Sequence, residues 1–307
     1  MNKKYGVGNM PGEIRKLKYI ADEIREELVA KINMYGADVR LACLVAGEHP
    51  ASESYINGIV RNSEKLGIKT ELVRFSDSVT ENQFVKKMDE INRDDKYSGM
   101  ILQLPLPRQI SHSMVSRLVD YRKDVDGVSP FNQGLLFAGQ PFMVPATAWA
   151  VDLTLAKIAK ERGIELAGKK IAIVGRSVTV GKPVLHLALK RNMVPVVLHT
   201  KAQYPEEIAA EADIIVACCG VAELINENWV KDDAIIIDVG INTKNDETGK
   251  SVLCGDVNAA AVNEVASLVT AVPGGVGSVT SALLFANTLK GWYMVNNRKE
   301  LRFDFEV

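Results

Sequence analysis

The stretch from Lys170 to Pro183 has the residue order of a phosphate-binding corner. An apolar run, Ile171-Ala172-Ile173-Val174, leads directly into Gly175-Arg176-Ser177-Val178-Thr179-Val180-Gly181-Lys182-Pro183. A strand, a glycine turn and a helix in that order present backbone N–H groups to a phosphate. Gly175 permits the tight turn, and Gly181 permits close packing of helix on strand. The pattern is Gly-x-Ser-x-x-x-Gly rather than the full Gly-x-Gly-x-x-Gly of a dinucleotide fingerprint. The next strand ends in His199-Thr200-Lys201-Ala202-Gln203, with no carboxylate before Glu206. An NAD site usually places Asp or Glu there for the ribose hydroxyls. Arg176 and Lys201 are instead available for a 2′-phosphate, with Thr200 as a hydroxyl donor. The expected cofactor is NADP, with NAD as the alternative.

A second set of residues lies earlier in the chain. It comprises Pro50-Ala51-Ser52-Glu53-Ser54-Tyr55-Ile56-Asn57, Leu102-Gln103-Leu104-Pro105-Leu106-Pro107 and Lys123-Asp124-Val125-Asp126-Gly127. Gln103 stands at the carboxyl end of a predicted strand, where open α/β sheets hold ligands. Taken singly, Tyr55 on a helix is an ordinary core residue and Asp126 in an Asp-Gly turn caps its own turn.

The elements that must position these residues follow from periodicity. Residues 13–35 read as a helix, with Ile20, Ile24, Leu28 and Ile32 four apart. Strands are expected at 39–45, 70–75 and 99–104, and helices at 52–66 and 81–92. Residues 123–145 are rich in Gly and Pro and read as irregular, bordering a cleft or a domain junction. A helix is expected at 146–162. Strands at 170–174, 194–199, 214–217 and 234–239 follow, and a final helix at about 278–296. Short apolar strands alternating with amphipathic helices predict an α/β fold with parallel sheets. Two domains are expected: 1–147, completed by 278–307, and a Rossmann-type unit at 148–277, with a cleft between them.

Bulk properties narrow the function classes. A chain of 307 residues is comfortable for two domains. A net charge of -1 offers nothing to nucleic acid or an anionic membrane, so neither is expected as a partner. No run of about 18 apolar residues suggests a membrane span. Met1–Gly12 reads as a loose start without the apolar core of a signal peptide. The cysteines, Cys43, Cys218, Cys219 and Cys254, form no C-x-x-C pair, and no Cys/His cluster has metal-ligand spacing. No metal is expected, and a reducing cytoplasm fits best. His49, His112, His186 and His199 make no triad with a serine. Asp238 is read as tying down the loop to Asn242, without chemistry.

These segments, with Gly175-Arg176-Ser177 and Val272-Pro273-Gly274-Gly275-Val276-Gly277, occur in order. Together they make the sequence resemble the methylenetetrahydrofolate dehydrogenase/methenyltetrahydrofolate cyclohydrolase family from about residue 10 to 295. The resemblance implies a folate-binding first domain, a Rossmann domain for the nicotinamide cofactor and a homodimer. It implies Tyr55, Gln103 and Asp126 as the catalytic, substrate-contacting set: Tyr55 flanks the pterin, Gln103 lines the pocket and Asp126 bonds the pterin nitrogens. Pro273, Gly274 and Gly275 also touch the substrate. Cofactor contacts are implied for Thr147, Gly175, Arg176, Ser177, Val180, Gly181, Thr200, Lys201, Gly220, Ile241, Gly277 and Thr280. A pterin has a flat face and an edge of donors, so an aromatic ring and a carboxylate suit it.

Three departures from the family pattern stand out. Bifunctional members carry Tyr-x-x-x-Lys, and here the run is Tyr55-Ile56-Asn57-Gly58-Ile59. Ile59 has no proton to exchange and cannot assist hydration of a methenyl group. Arg61 is roughly 200° around the helix and permanently charged. Pro145-Ala146-Thr147-Ala148 replaces Pro-Cys-Thr-Pro, and Ser278 replaces a Pro. Hydride transfer needs no lysine, since the cofactor carries the chemistry and the protein orients it. The sequence therefore predicts oxidation of 5,10-methylenetetrahydrofolate with weak or absent cyclohydrolase activity. The alternatives are a bifunctional enzyme with a substitute for the lysine, and a non-catalytic folate- or nucleotide-binding regulator.

Overall fold

The computed structural model describes residues 12–47, 50–246, 249–298 and 301–306. Residues 1–11 and His49 lie outside that set. The chain divides into two compact units, Tyr19–Ala150 with Val279–Val307, and Val151–Ser278 with the described part of Met1–Lys18. The N-terminal segment therefore departs from the expected 1–147 boundary. Its strand β1 (Glu13–Arg15) pairs in parallel with the later segment Leu268–Thr270. For the same reason the predicted helix does not start at residue 13. Helix α1 (Lys18–Tyr35) begins after the strand and buries Ile20, Ala21, Ile24, Leu28 and Ile32 along one face.

In the unit built on Tyr19–Ala150, β2 (Arg40–Ala46) lies between β3 (Lys69–Phe75) and β4 (Gly99–Leu102) in a three-stranded parallel sheet. Every residue of β2 after Arg40 is buried, which is why its sequence is a continuous apolar run rather than an alternating one. Helix α2 (Pro50–Lys65) connects β2 to β3, and α3 (Glu81–Arg93) connects β3 to β4. A capping box starts α3: Thr80 Oγ1 accepts from the Gln83 N–H while the Thr80 N–H donates to Gln83 Oε1.

The other end of α3 is held by a buried cation. Lys123 has no exposed surface, and its Nζ donates to the carbonyls of Ile91, Asn92 and Asp94 at 2.9, 2.9 and 2.8 Å. The Ile91 and Asn92 carbonyls are among those a helix end leaves unpaired, the Asp94 carbonyl accepts from the Tyr97 N–H as well, and a positive charge suits that end of the dipole. The Lys123 carbonyl in turn accepts from the Met100 N–H at the start of β4. The turn carrying Asp126 is thus fastened to both the helix and the sheet.

After the short α4 (His112–Val115), residues 123–145 are not wholly irregular. They contain α5 (Pro130–Phe137), started by Ser129, whose hydroxyl accepts from the Asn132 N–H, and by Pro130 in the first turn. Buried Asp124 secures this start by accepting from the N–H groups of Val128 and Ser129 and from the Asn132 amide. Helix α6 (Ala146–Arg162) follows as predicted.

The second unit has the sheet order β1-β11-β8-β7-β5-β6, parallel throughout. Its strands are β5 (Lys170–Val174), β6 (Val194–Leu198), β7 (Ile214–Ala217), β8 (Ile235–Asp238) and β11 (Leu268–Thr270), with β1 at the edge. Helices α7 (Gly181–Lys190), α8 (Pro205–Ala209) and α9 (Ala259–Val262) lie between strands. An antiparallel hairpin, β9 (Asn242–Asn245) with β10 (Ser251–Cys254), stands apart from the main sheet. Helix α10 (Val276–Val295) is the last regular element among the described residues, and from Val279 on it belongs to the unit built on Tyr19–Ala150. Ile215, Ile236, Val269 and Trp229 sit in the core on one side of the sheet. The chain leaves β5 to one side for β6 and returns to the other side for β7, so the strand order reverses at β5. That is the switch point at which doubly wound sheets bind ligands.

Candidate active site

In the unit built on Tyr19–Ala150, three groups come together beside β2. Tyr55 on α2 is half exposed, but its hydroxyl is held above the ordinary phenol range by burial and then by the charges of Asp126 and Cys43. Cys43, wholly buried in the middle of β2, is pushed up to about 12, first by burial and then by Asp126. Asp126 is itself half-buried. Burial, followed by the charge of Asp124, pushes its carboxyl up to about 7. Among the described residues no hydrogen-bond donor reaches the Asp126 carboxyl. Gly127 lets the turn close with φ +62°, and a Cβ there would collide with the backbone at Val144 and Pro145.

Gln103 stands just past β4, its N–H donating to the Leu44 carbonyl of β2. Its Nε2 donates to the Leu104 carbonyl at 2.7 Å, while its buried Oε1 has no partner among the described residues. A buried acceptor without a donor is costly unless a ligand supplies one. Cys43 was not singled out from the sequence as a site residue. It lies inside the expected strand at 39–45 but belongs to no motif; the register sets it opposite Ile101.

Ile59 is one helical turn beyond Tyr55 and buried, with 5% of its surface exposed. It lines a cavity of about 180 Å³ with Tyr55, Gly58, Asn62, Ser281, Leu284 and Phe285. The position held by lysine in the family pattern therefore faces a real space, with two polar side chains in its wall. Thr147, in the first turn of α6, and Thr280, in the second turn of α10, also belong to this unit.

In the second unit, Gly175 follows β5 with φ +132°. A Cβ on Gly175 would collide with the Cys218 carbonyl, and one on Gly181 would collide with the Gly175 carbonyl. Both glycines are required by close backbone approach. The N–H groups of Val180 and Gly181 donate to the Ser177 hydroxyl, at 3.1 and 3.4 Å, which shapes the turn. The N–H groups of Arg176, Ser177, Val178 and Thr179 have no partner among the described residues, and all four residues are exposed. Val174 pairs with Leu198, so Arg176 and the Thr200-Lys201 pair emerge at the same edge of adjacent strands. Both cations are exposed and neither is in an ion pair among the described residues. An unpaired donor cradle with two free cations beside it fits a phosphorylated dinucleotide.

The neighbouring loops are bound by two buried carboxylates. Asp238, at the end of β8, accepts from the N–H groups of Gly240, Asp256 and Val257 at 2.9, 3.0 and 3.1 Å. Burial pushes it up to about 6. Asp256, absent from the sequence-based reading, accepts from the N–H groups of Cys219 and Gly220 and from the Asn242 amide at 2.7, 2.9 and 2.8 Å. Gly220 and Ile241 lie on these loops, both exposed. Cys218 and Cys219 are pushed up to about 12 and about 11, first by burial, which favours the protonated thiol. The Pro273–Gly277 segment stays close to β1: the Gly274 carbonyl accepts from the Leu17 N–H, and a Cβ on Gly274 would meet Lys16. Gly277 is in the first turn of α10.

Among the described residues no group of His, Cys, Asp and Glu could hold a metal ion, and no helix is long and apolar enough to cross a membrane.

A doubly wound parallel sheet with an unpaired N–H cradle at its switch point defines a dinucleotide-binding unit. Comparison with known proteins makes the assignment specific. Residues 16–126 match the family model of the tetrahydrofolate dehydrogenase/cyclohydrolase catalytic domain, and residues 145–296 match that of the NAD(P)-binding domain. The chain belongs to the tetrahydrofolate dehydrogenase/cyclohydrolase family. It is 38% identical over 282 residues to the bifunctional protein FolD of Listeria innocua, covering 91% of this chain and 96% of that one. The structure of bifunctional FolD from Campylobacter jejuni aligns with a TM-score of 0.83 at 33% identity, over 90% of this chain and 97% of the other. The Trypanosoma brucei enzyme, solved with NADP cofactor and inhibitor, aligns with a TM-score of 0.85 at 26% identity, over 93% and 99%.

Proposed function

We propose that this enzyme oxidises 5,10-methylenetetrahydrofolate to 5,10-methenyltetrahydrofolate with NADP as acceptor, and that it hydrolyses the methenyl product slowly or not at all. What supports the proposal is the placement of Tyr55 and Asp126 beside Cys43 of β2 and of Gln103 just past β4, with Ile59 in the lysine position. Tyr55 offers an exposed aromatic face to the pterin. Asp126 offers an unpaired carboxyl to the pterin's amino and ring N–H donors. The orphan Oε1 of Gln103 takes a further donor and so orients the ring system.

The residues that would hold NADP are the Arg176–Thr179 N–H groups for the pyrophosphate and Arg176, Thr200 and Lys201 for the 2′-phosphate. Gly220, Ile241 and the Pro273–Gly277 segment would border its nicotinamide half. Bound there, the cofactor supplies the hydride acceptor. The folate nitrogens stabilise the positive charge left on the one-carbon unit, so no protein base is needed in that step.

Hydration of the methenyl group differs, because water must lose a proton as it adds. General acid–base assistance is worth about 10²–10⁴-fold. Ile59 supplies none, and Leu284 and Phe285 add to the apolar wall around it. The FolD relatives above are named for both activities, and the position of Ile59 is what favours a slow second step here. The same reading includes a homodimer in a reducing cytoplasm, supported by the family resemblance and by four free cysteines. Following reduced cofactor and methenyl product together in one assay separates the two activities.

A further inference from the structure

We propose that Asp256 is the positioning residue for the nicotinamide half of the cofactor site, holding two separate loops at the carboxyl edge of the second sheet in one arrangement. The proposal rests on the cofactor reading above. It begins with sheet order. The 2′-phosphate cations, Arg176 and Lys201, follow β5 and β6. A dinucleotide anchored there and crossing the switch point must extend its other half over β7 and β8. The loops after β7 and β8, Cys218–Val221 and Val239–Asn242, are therefore the ones the nicotinamide half meets.

Cys219 packs against the core of the sheet, but other residues of the two loops do not: Val221 and Ile241 are 50% and 72% exposed. The fully buried Asp256 carboxylate ties the two loops together. One oxygen accepts from the Cys219 and Gly220 N–H groups, and the other accepts from the Asn242 side chain. Asp256 is fixed in turn by its own N–H, which donates to Asp238, while the Asp238 N–H donates to Thr270 Oγ1 at 2.8 Å. A polar chain thus runs from β11 through β8 to both loops. The adjoining glycines accommodate it. A Cβ on Gly240 would collide with Asp256, and one on Gly255 would collide with Asp238. A carboxylate accepting three hydrogen bonds where no solvent reaches is strongly directional.

The test is equilibrium binding by calorimetry, without folate, of two probes: NADP and its 2′,5′-ADP fragment, which lacks the nicotinamide half. Asp256→Ala is expected to weaken NADP about tenfold or more while leaving 2′,5′-ADP within about twofold of wild type. Asp256→Asn should recover most of the loss. Its remaining oxygen can serve the two backbone N–H groups, and the Asn242 amide can turn over to accept from the new NH₂. Should Asp256→Ala fail to fold, Asn242→Ala removes one arm of the brace and is expected to weaken NADP severalfold, again sparing 2′,5′-ADP. Folded variants with wild-type NADP affinity, or with equal losses for both probes, would overturn the assignment. If the wild-type protein binds neither probe, the cofactor reading fails first, and the brace falls with it.

Discussion

Tyr55 and Ile59 stand one turn apart on the same face of α2 and line one cavity. The aromatic ring proposed to flank the substrate and the residue lacking a transferable proton are therefore neighbours at the same surface. Replacing Ile59 by Lys should place an amine in a space already bordered by Asn62 and Ser281. The expected result is a gain in methenyl hydrolysis of about 10²-fold or more, with the hydride-transfer rate changed only severalfold. Unchanged hydrolysis in a folded Ile59→Lys variant would mean that another group already serves, or that the missing lysine is not what slows the step.

Asp126 gives the protein a pH dependence of definite sign. Its carboxyl is pushed up to about 7 in the fold, against an ordinary value of 3.8. The neutral form is thus favoured by folding, and its contribution to stability is complete below about pH 4 and lost as pH rises through about 7. Asp238, at about 6, contributes with the same sign. Urea unfolding at pH 5 and pH 7.5 should show Asp126→Asn losing part of that slope while Asp238 retains the rest. Substrate recognition runs the other way. The ionised carboxyl is the better acceptor, so kcat/KM for methylenetetrahydrofolate should rise with pH through about 7 and flatten in the Asn variant.

Lys123 should behave as a structural cation. Lys123→Met keeps the length of the stem but removes the donor shared by the Ile91, Asn92 and Asp94 carbonyls, of which Asp94 keeps only its bond from the Tyr97 N–H. A loss of about 3 kcal/mol in unfolding free energy is expected, measured by chemical denaturation. A loss under about 1 kcal/mol would show that water replaces the amine at little cost.

Cofactor choice is expected to reside in Arg176 and Lys201. Changing either to Ala should raise KM for NADP about tenfold and leave KM for NAD nearly unchanged, because only NADP carries the 2′-phosphate. Parallel losses for both cofactors would place the phosphate elsewhere.

Much of the fold was legible because buried parallel strands write themselves as apolar runs. Residues 39–45 and 170–174 were readable on that ground, and the glycine corner after β5 on the same logic. What escaped the sequence depended on partners far along the chain. Glu13-Ile14-Arg15 continues a helical pattern but becomes a strand because β11 offers it an edge. Helix α5 hides in a breaker-rich segment because its start is stabilised by Asp124, a residue outside the helix. The β9–β10 hairpin begins with Asn-Thr-Lys-Asn, which has no apolar pattern to detect. Tyr55, Gln103 and Asp126 were named from motifs. Cys43 and Asp256 were not, since a buried thiol or carboxylate becomes distinctive only when the fold shows what surrounds it.

The most direct test of the central claim is one spectrophotometric assay of the purified protein with methylenetetrahydrofolate and NADP. Reduced cofactor and methenyltetrahydrofolate are followed separately as the reaction runs. Both signals should rise together, with the methenyl signal persisting for the time its uncatalysed decay allows. Reduced cofactor rising while methenyl never accumulates would contradict the claim, because the second step would then be fast despite Ile59.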